Sequence, residues 1–107
     1  MSISICDRAD LLSDELRQHL ERRFLFALSR YDSRVIQTNV SVGPIEIGPD
    51  NLASQCHVDV ALQRASHVSI TEKSDDIREC ISRAAERTGR AVGRSIDNAT
   101  ARVPSTR

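Results

Sequence analysis

Four arginines at regular spacing are the residues of this sequence whose type and placement could do chemistry. They stand at Arg83, Arg87, Arg90 and Arg94, at steps of four, three and four residues. A helix turns about 100° per residue, so the four side chains would project within an arc of roughly 60° and form a row about 16 Å long. Guanidinium groups are planar, permanently charged donors that bind phosphate or carboxylate oxygens in pairs. The row therefore predicts an exposed surface that binds anions.

The same arginines have acidic neighbours, which favour a second interpretation. Two of the four follow a glutamate by four residues, the orientation that stabilises a helix, and a third precedes an aspartate by three. Arg87 has no acid at these spacings, so the sequence predicts that it is unpaired. A row balanced in this way could be only a solvated, ion-paired helix face. From residue 80 onwards, however, six arginines stand against two acids, so this end of the chain is basic.

Two glycines, Gly89 and Gly93, lie beside the row. Glycine is unfavourable in the interior of a helix by about 1 kcal/mol relative to alanine. These glycines would either admit a neighbouring backbone or loosen the end of the helix.

The composition indicates one folded domain without excess charge. The chain has 107 residues, of which 39% are hydrophobic and 28% charged, and its 15 basic side chains balance 15 acidic ones. A chain of this length supports a single core. A generic polyanion-binding protein would carry a bulk positive charge, which this chain lacks, but a neutral chain can still have two faces of opposite sign.

Periodic patterns predict the elements that position the row. Four segments alternate apolar and polar side chains, as strands with one buried face do. They are residues 2–6, 34–42, 55–63 and 67–72. Two segments repeat apolar side chains at helical spacing behind a serine cap and first-turn acids, with the caps at Ser13 and Ser74. They are residues 13–31 and 74–98.

The order of these elements predicts an α+β fold: a two-layer β-α-β-β-β-α domain with a four-stranded mixed sheet and two helices packed on one face. We expect Ile36, Val40 and Val42 to face the helices, and the polar side of the sheet to stay in water. Two Gly-Pro pairs predict a loop over residues 43–54. The domain is expected to span residues 1–98, with a flexible tail at 99–107.

The polar side of the predicted sheet is the other place where reactive side chains meet. We expect six residues to be solvent-accessible there: Gln37, Asn39, His57, Asp59, His67 and Ser69. The two histidines and the aspartate could bind a metal, although no further ligand is evident. Cys56 should point to the opposite face from His57, which disfavours a Cys-His nucleophile. We therefore expect no enzyme activity, no catalytic residue, no metal, no cofactor and no small-molecule substrate.

Targeting and redox signals are absent from the sequence. The first residues, "MSISICDRADLL", lack the basic and long apolar regions of a signal peptide. No apolar run approaches the roughly 20 residues of a membrane span. The three cysteines have neither disulfide-framework nor zinc-site spacing. These features predict a cytoplasmic protein with reduced thiols and no membrane partner.

The whole arrangement resembles the ribosome hibernation-promoting factors, also called ribosome-associated inhibitors or ribosomal subunit interface proteins. The resemblance covers nearly all of residues 1–98. It rests on "LSDELRQHLERRF" after a short strand, on "LSRY", on the "HVDVAL" and "HVSITE" strands and on "DDIRECISRAAERTGRAV". In that family the two helices lie against RNA of the small ribosomal subunit, in the channel used by messenger and transfer RNA. Binding there blocks translation and favours the storage of idle ribosomes.

The resemblance implies a partner, a set of site residues and an alternative. The partner would be the small ribosomal subunit, bound through its RNA phosphates in stationary phase or under stress. The resemblance implies RNA contacts at Arg23, Arg87, Arg90 and Arg94, and the arginine row adds Arg83 to the predicted RNA-binding residues. Family members usually have a basic segment between the second and third strands, whereas "GPIEIGPDNLASQ" here contains two acids and no basic residue. The alternative is a diverged protein-interaction module of the same fold that does not bind RNA. The oligomeric state stays open.

Overall fold

The computed structural model describes residues 2–102, and its elements follow the predicted β-α-β-β-β-α order. A single 3₁₀ turn closes the first helix, at Ser29–Tyr31. The elements are β1 Ile3–Asp7, α1 Asp14–Leu28, β2 Val35–Gly48, β3 Asn51–Leu62, β4 Val68–Ser74 and α2 Ile77–Arg102. The α+β fold class predicted from the sequence is confirmed.

The four strands form one mixed sheet in the order β1-β2-β3-β4. β1 runs parallel to β2, and the remaining neighbours are antiparallel. One continuous row of apolar side chains crosses the sheet through paired positions: Ile5, Val40, Val58 and Ile70. This register places the apolar face of each strand on the same side.

Both helices pack on that apolar side, as the sequence predicted. The side chains that α1 contributes to the core are Leu20, Phe24 and Leu28. Those of α2 include Ile81, Ala84 and Val92. Fully burying one large aliphatic side chain stabilises the fold by about 1.5–3 kcal/mol, whereas an exposed ion pair contributes about 0–1 kcal/mol. The core therefore sets which face of α2 is buried, and the arginine row is left on the outside.

The prediction of a loop over residues 43–54 is wrong, because β2 and β3 continue through it as a hairpin. Ile45 pairs with Ala53 and Gly48 with Asn51, and the turn contains Asp50 at a φ of 59°. Pro44 is tolerated because β1 ends opposite Val42, so β2 is an edge strand beyond that point and a missing N–H does no harm there. We call residues 43–54 the arm.

The expectation that Ile36 faces the helices is also wrong. A register shift lies between Val35 and Gln37, and it leaves Ile36 52% exposed while Val35 is buried. A bulge inserts one extra residue into a strand, so the alternation changes phase at that point. The predicted orientation of Val40 and Val42 is confirmed, since both are buried.

The helix ends follow the predicted chemistry with one change of residue. The Ser13 hydroxyl accepts a hydrogen bond from the Leu16 N–H at 3.1 Å and caps α1, as predicted. At α2 it is Asp76 that caps: its Oδ1 accepts from the Arg78 N–H at 3.0 Å. Ser74, the predicted cap, instead ends β4.

The second helix is longer than the sequence indicated. It continues to Arg102, through the first residues that were assigned to a tail, and residues 103–107 of that predicted tail lie outside the described residues. Within residues 2–102, no helix is both long and apolar enough to cross a membrane.

Candidate nucleic-acid interface

The arginine row lies on the outer surface of α2. The exposed fractions of the side chains are 51% for Arg83, 50% for Arg87 and 71% for Arg90, and Arg94 is exposed too. The buried stripe of the same helix faces the sheet on the other side. The geometry inferred from the spacing of the arginines is therefore present.

Two of the four arginines form the ion pairs that their spacing suggested. Arg83 Nη2 lies 3.1 Å from Glu79 Oε2, and Arg90 Nη2 lies 3.8 Å from Glu86 Oε1. Both pairs are at least half exposed, so each contributes about 0–1 kcal/mol and can be exchanged for another anion. Within the described chain no ion pair joins Arg94 to an acid, so its charge is free.

The prediction that Arg87 lacks an acidic partner is wrong. Its Nη1 donates to Glu72 Oε2 at 2.8 Å and to the Thr71 carbonyl oxygen at 3.1 Å. Both acceptors belong to β4, which packs beside α2, so the spacing of residues along the helix does not reveal them. The Glu72 side chain is only 16% exposed, which makes this the most protected of the three pairs.

A groove between α1 and α2 brings Arg23 and Arg90 together. The groove has a volume of about 450 Å³. Its lining residues are Arg23, Phe26, Ala27, Ser29, Arg30, Tyr31, Ala85, Glu86, Gly89 and Arg90. Two of its three arginines come from the first helical segment and one from the second, so the groove joins the two helices into one basic surface.

The glycines beside the row leave room for neighbouring groups to contact α2 closely. A Cβ atom on Gly89 would lie 3.1 Å from the carbonyl oxygen of Ala27 in α1, which is tighter than an ordinary contact. A Cβ atom on Gly93 would lie 2.6 Å from the Tyr31 hydroxyl. Of the two explanations that the sequence left open, the structure supports close approach of a neighbouring backbone for Gly89, whereas Gly93 makes room for the tip of the Tyr31 side chain.

Arg23 of α1 and Arg30 of the 3₁₀ turn also belong to this surface, and neither forms an ion pair with an acid in the described chain. Within residues 2–102 Arg23 has no ion pair, and its Nε–H is buried without a hydrogen-bond partner. The Arg30 guanidinium lies over the Tyr31 ring, 5.9 Å from the ring centre. Arg90 lines both the groove and a second cavity of about 340 Å³ that it shares with Ile70, Arg87 and Arg94. The arginines that line the groove are thus continuous with the arginine row of α2.

The family of the chain follows from comparison with known proteins. Residues 10–99 match the model of a family described as Sigma 54 modulation protein / S30EA ribosomal protein. The chain belongs to this S30EA family. The resemblance to ribosomal subunit interface proteins is confirmed in this sense. No curated protein matches the chain significantly.

Two solved structures show the same S30EA fold. The N-terminal domain of Protein Y from Thermus thermophilus superimposes with a TM-score of 0.71 at 21% identity, over 88% of this chain and 98% of that one. A ribosomal subunit interface protein from Coxiella burnetii gives a TM-score of 0.70 at 15% identity, over 88% of this chain and 96% of that one.

At neutral pH the positive charge on the helical layer of this S30EA protein comes from arginine and not from histidine. Burial, followed by the charges of Arg78, Arg23 and Arg22, lowers the pKa of His19 below its usual value. The imidazole is therefore neutral at neutral pH, and its Nε2 lies 3.2 Å from Ser82 Oγ on the other helix. His19 links the two helices without adding to their charge.

The open face of the sheet carries a polar network. His57 Nδ1 lies 2.7 Å from Thr71 Oγ1, and His57 Nε2 lies 3.1 Å from Asp59 Oδ2. The Ser69 hydroxyl donates a hydrogen bond to the other carboxylate oxygen of Asp59, Oδ1. All six residues predicted to be solvent-accessible are at least partly exposed, which agrees with the predicted phase of the strands from Gln37 onward.

The structure does not bring His67 to that network. Ser69 stands opposite Asp59, whereas His67 precedes β4 and lines a small cavity beside Arg94 and Ser95 of α2. Among the described residues, no three side chains of the metal-binding types converge. Cys56 is buried on the opposite face from His57, as expected.

Proposed function

We propose that this S30EA-family protein associates with the ribosome, binds RNA of the small subunit through its helical layer and inhibits translation in stationary phase or under stress. The observation that carries the proposal is the continuous arginine surface across α1 and α2. On this surface Arg23, Arg30 and Arg94 have no ion pair within the described chain. The family is one of ribosome-associated proteins, and the Coxiella burnetii relative is a ribosomal subunit interface protein.

The ion pairs within the row do not oppose this role. An exposed pair contributes little, and phosphate oxygens offer the same guanidinium groups a bidentate partner of higher charge. Arg83 and Arg90 can therefore exchange a glutamate for a phosphate. Arg94 needs no exchange, because no acid holds it in the described chain. Arg87 is oriented by Glu72 and contributes its remaining donors.

We therefore assign the main contacts to Arg90 and Arg94, with Arg23, Arg83 and Arg87 assisting. Arg30, which the resemblance did not include, joins them at the groove. No catalytic residue, cofactor or small-molecule substrate is assigned, and the proposed compartment is the cytoplasm. Zero net charge is consistent with this role because only one face needs to be basic.

A second candidate function is a protein-interaction module that does not bind RNA. Three of the four arginines in the row are ion-paired, which this alternative expects. The arm also presents Ile47 at 50% and Leu52 at 63% exposure beside Glu46 and Asp50. An acidic arm with apolar side chains would repel phosphate and suits a protein partner.

Co-sedimentation with purified small ribosomal subunits separates the two candidates. Arg94→Ala and Lys73→Ala each remove one exposed positive charge, but Lys73 stands on β4 away from the arginine surface and is the matched control. Loss of one phosphate contact should weaken binding roughly tenfold, so we expect Arg94→Ala to reduce both sedimentation and inhibition of translation. Lys73→Ala should behave as wild type. Equal binding by both variants, with loss on Leu52→Ser, would support the second candidate instead.

A further inference from the structure

The groove between α1 and α2 has features that phosphate contacts alone do not explain. We propose that it binds one unstacked nucleotide of single-stranded RNA, with the base against Phe26 and the phosphate between Arg23 and Arg90. This inference rests on the proposed function and deepens it, because it states which part of an RNA the helical layer takes.

The size of the groove suits a nucleotide. Its volume of about 450 Å³ lies within the range of small-molecule sites, which is about 300–1,000 Å³. Three of its lining residues, Ala27, Ala85 and Gly89, have side chains no larger than a methyl group, which leaves space between the helices. Gly89 is needed for the close helix contact at this groove, because a Cβ there would lie 3.1 Å from the carbonyl oxygen of Ala27.

The Phe26 ring lines the groove and is not buried in the core. Phe26 is 80% exposed although it is one of only two phenylalanines in the chain, and Phe24, the other, is fully buried. Tyr31, which also lines the groove, already has Arg30 over its ring. Bases stack on exposed aromatic side chains whatever their sequence, since every base has a π-face.

The charges of the groove suit a single phosphate. Its lining includes three arginines, Arg23, Arg30 and Arg90. The lining has one acid, Glu86, which is already paired with Arg90. Within the described chain Arg23 forms no ion pair with an acid, and its Nε–H is buried without a hydrogen-bond partner. The Arg23 side chain lines the groove, so the terminal nitrogens of its guanidinium can turn to a phosphate there.

Single-stranded RNA is favoured over a duplex or a free nucleotide by what surrounds the groove. Bases in a duplex are stacked and paired, so none is available to a ring at a groove rim. The strand that leaves the groove at Arg90 meets Arg87 and Arg94 in the adjoining cavity, where further phosphates can bind. A free nucleotide would leave that part of the surface empty.

The test compares binding of the full chain to a short labelled single-stranded RNA, a duplex of equal length and free adenosine monophosphate. The variants are Phe26→Ala, Phe26→Tyr and the control Leu25→Ala, a neighbour that is 48% exposed but does not line the groove. Stacking energies predict that Phe26→Ala weakens single-strand binding about 5- to 150-fold. The salt dependence should stay unchanged, because no charge is lost. Phe26→Tyr and Leu25→Ala should bind as wild type.

Three results would overturn the assignment. The first is that Phe26→Ala binds single-stranded RNA as tightly as wild type does. The second is that Phe26→Ala weakens binding of the duplex as much as binding of the single strand. The third is that adenosine monophosphate binds as tightly as the oligonucleotide. The exposure of Phe26 means that its variants should fold, which a thermal melt checks. Wild-type protein that fails to co-sediment with small subunits would overturn the proposed function. Wild-type sedimentation with no effect of Phe26→Ala on single-stranded RNA would overturn only the groove.

Discussion

The partner of each arginine determines how much of its charge a ligand can use. Arg87 and Arg94 share a row and a residue type, but Arg87 is held at 2.8 Å by Glu72 while no acid holds Arg94 in the described chain. The spacing of the arginines predicted their exposure. It could not predict the pair with Glu72, since that acid is fifteen residues away and reaches Arg87 only because β4 packs beside α2.

Removal of Arg87 should therefore affect stability as well as binding. Arg87→Ala leaves the largely buried Glu72 carboxylate without its partner, and we expect it to lower the free energy of unfolding by about 1–2 kcal/mol. Arg83→Ala breaks only an exposed pair and should cost less than about 1 kcal/mol. Urea denaturation of both variants checks this. Equal stabilities would show that the Glu72 pair is as weak as a surface pair.

The cysteines differ in reactivity for reasons that the sequence could only outline. Burial is the first cause that raises the pKa of Cys56 to about 12 and that of Cys80 to about 11, so both thiols stay protonated at neutral pH. Cys6 is exposed. We expect a thiol reagent at neutral pH to modify Cys6 quickly in the folded protein, and the other two only after unfolding. Rapid modification of all three without denaturant would contradict the burial.

At the scale of elements, periodicity predicted most of the fold. The alternation of Val40, Val42, Val58 and Val60 predicted the strands and their buried face, because an apolar side of a sheet must be covered. The arm was missed because Gly-Pro pairs usually break strands, and the sequence does not show that β2 has become an edge strand there. The bulge at Ile36 could not be predicted because Val35 and Ile36 are both apolar, so the pattern does not show which of the two faces the helices.

The groove could not be predicted from either helix alone. It depends on the close contact of Gly89 with Ala27, and the sequence of α2 does not reveal what packs against this glycine. The resemblance included Arg23 and Arg90 but gave no reason to join them with Arg30 and Phe26. The only available signal was an exposed aromatic residue on the polar side of an amphipathic helix.

Gly89→Ala tests the helix contact. Alanine favours the helix by about 1 kcal/mol, but overpacking against the Ala27 backbone costs about 1–3 kcal/mol. Because a helix backbone cannot move as easily as a side-chain tip, we expect a net loss of about 1 kcal/mol and a lower Tm. Asn98→Ala on the exposed side of the same helix should leave Tm unchanged or raise it slightly. A Gly89→Ala variant more stable than wild type would show that the helices are not tightly apposed.

For the whole molecule, the main property is an uneven distribution of charge under a zero total. The helical layer collects arginines from both helices, whereas the arm at the end of the sheet has two acids and no basic residue. In the proposed function, the helical layer would be the side that faces RNA. The orientation on the ribosome would thus be set by charge before any specific contact forms.

The salt dependence of binding to isolated small ribosomal subunits tests the central claim most directly. Each arginine that contacts a phosphate releases counterions, so the logarithm of the association constant should fall linearly with the logarithm of salt concentration. Loss of one contact should make the slope shallower by about one unit. We predict this change for Arg94→Ala, and a slope equal to that of wild type for Lys73→Ala. Two results would contradict the proposal that arginines of the helical layer bind ribosomal RNA. One is that binding of the wild-type protein does not depend on salt, and the other is that Arg94→Ala and wild type give identical slopes.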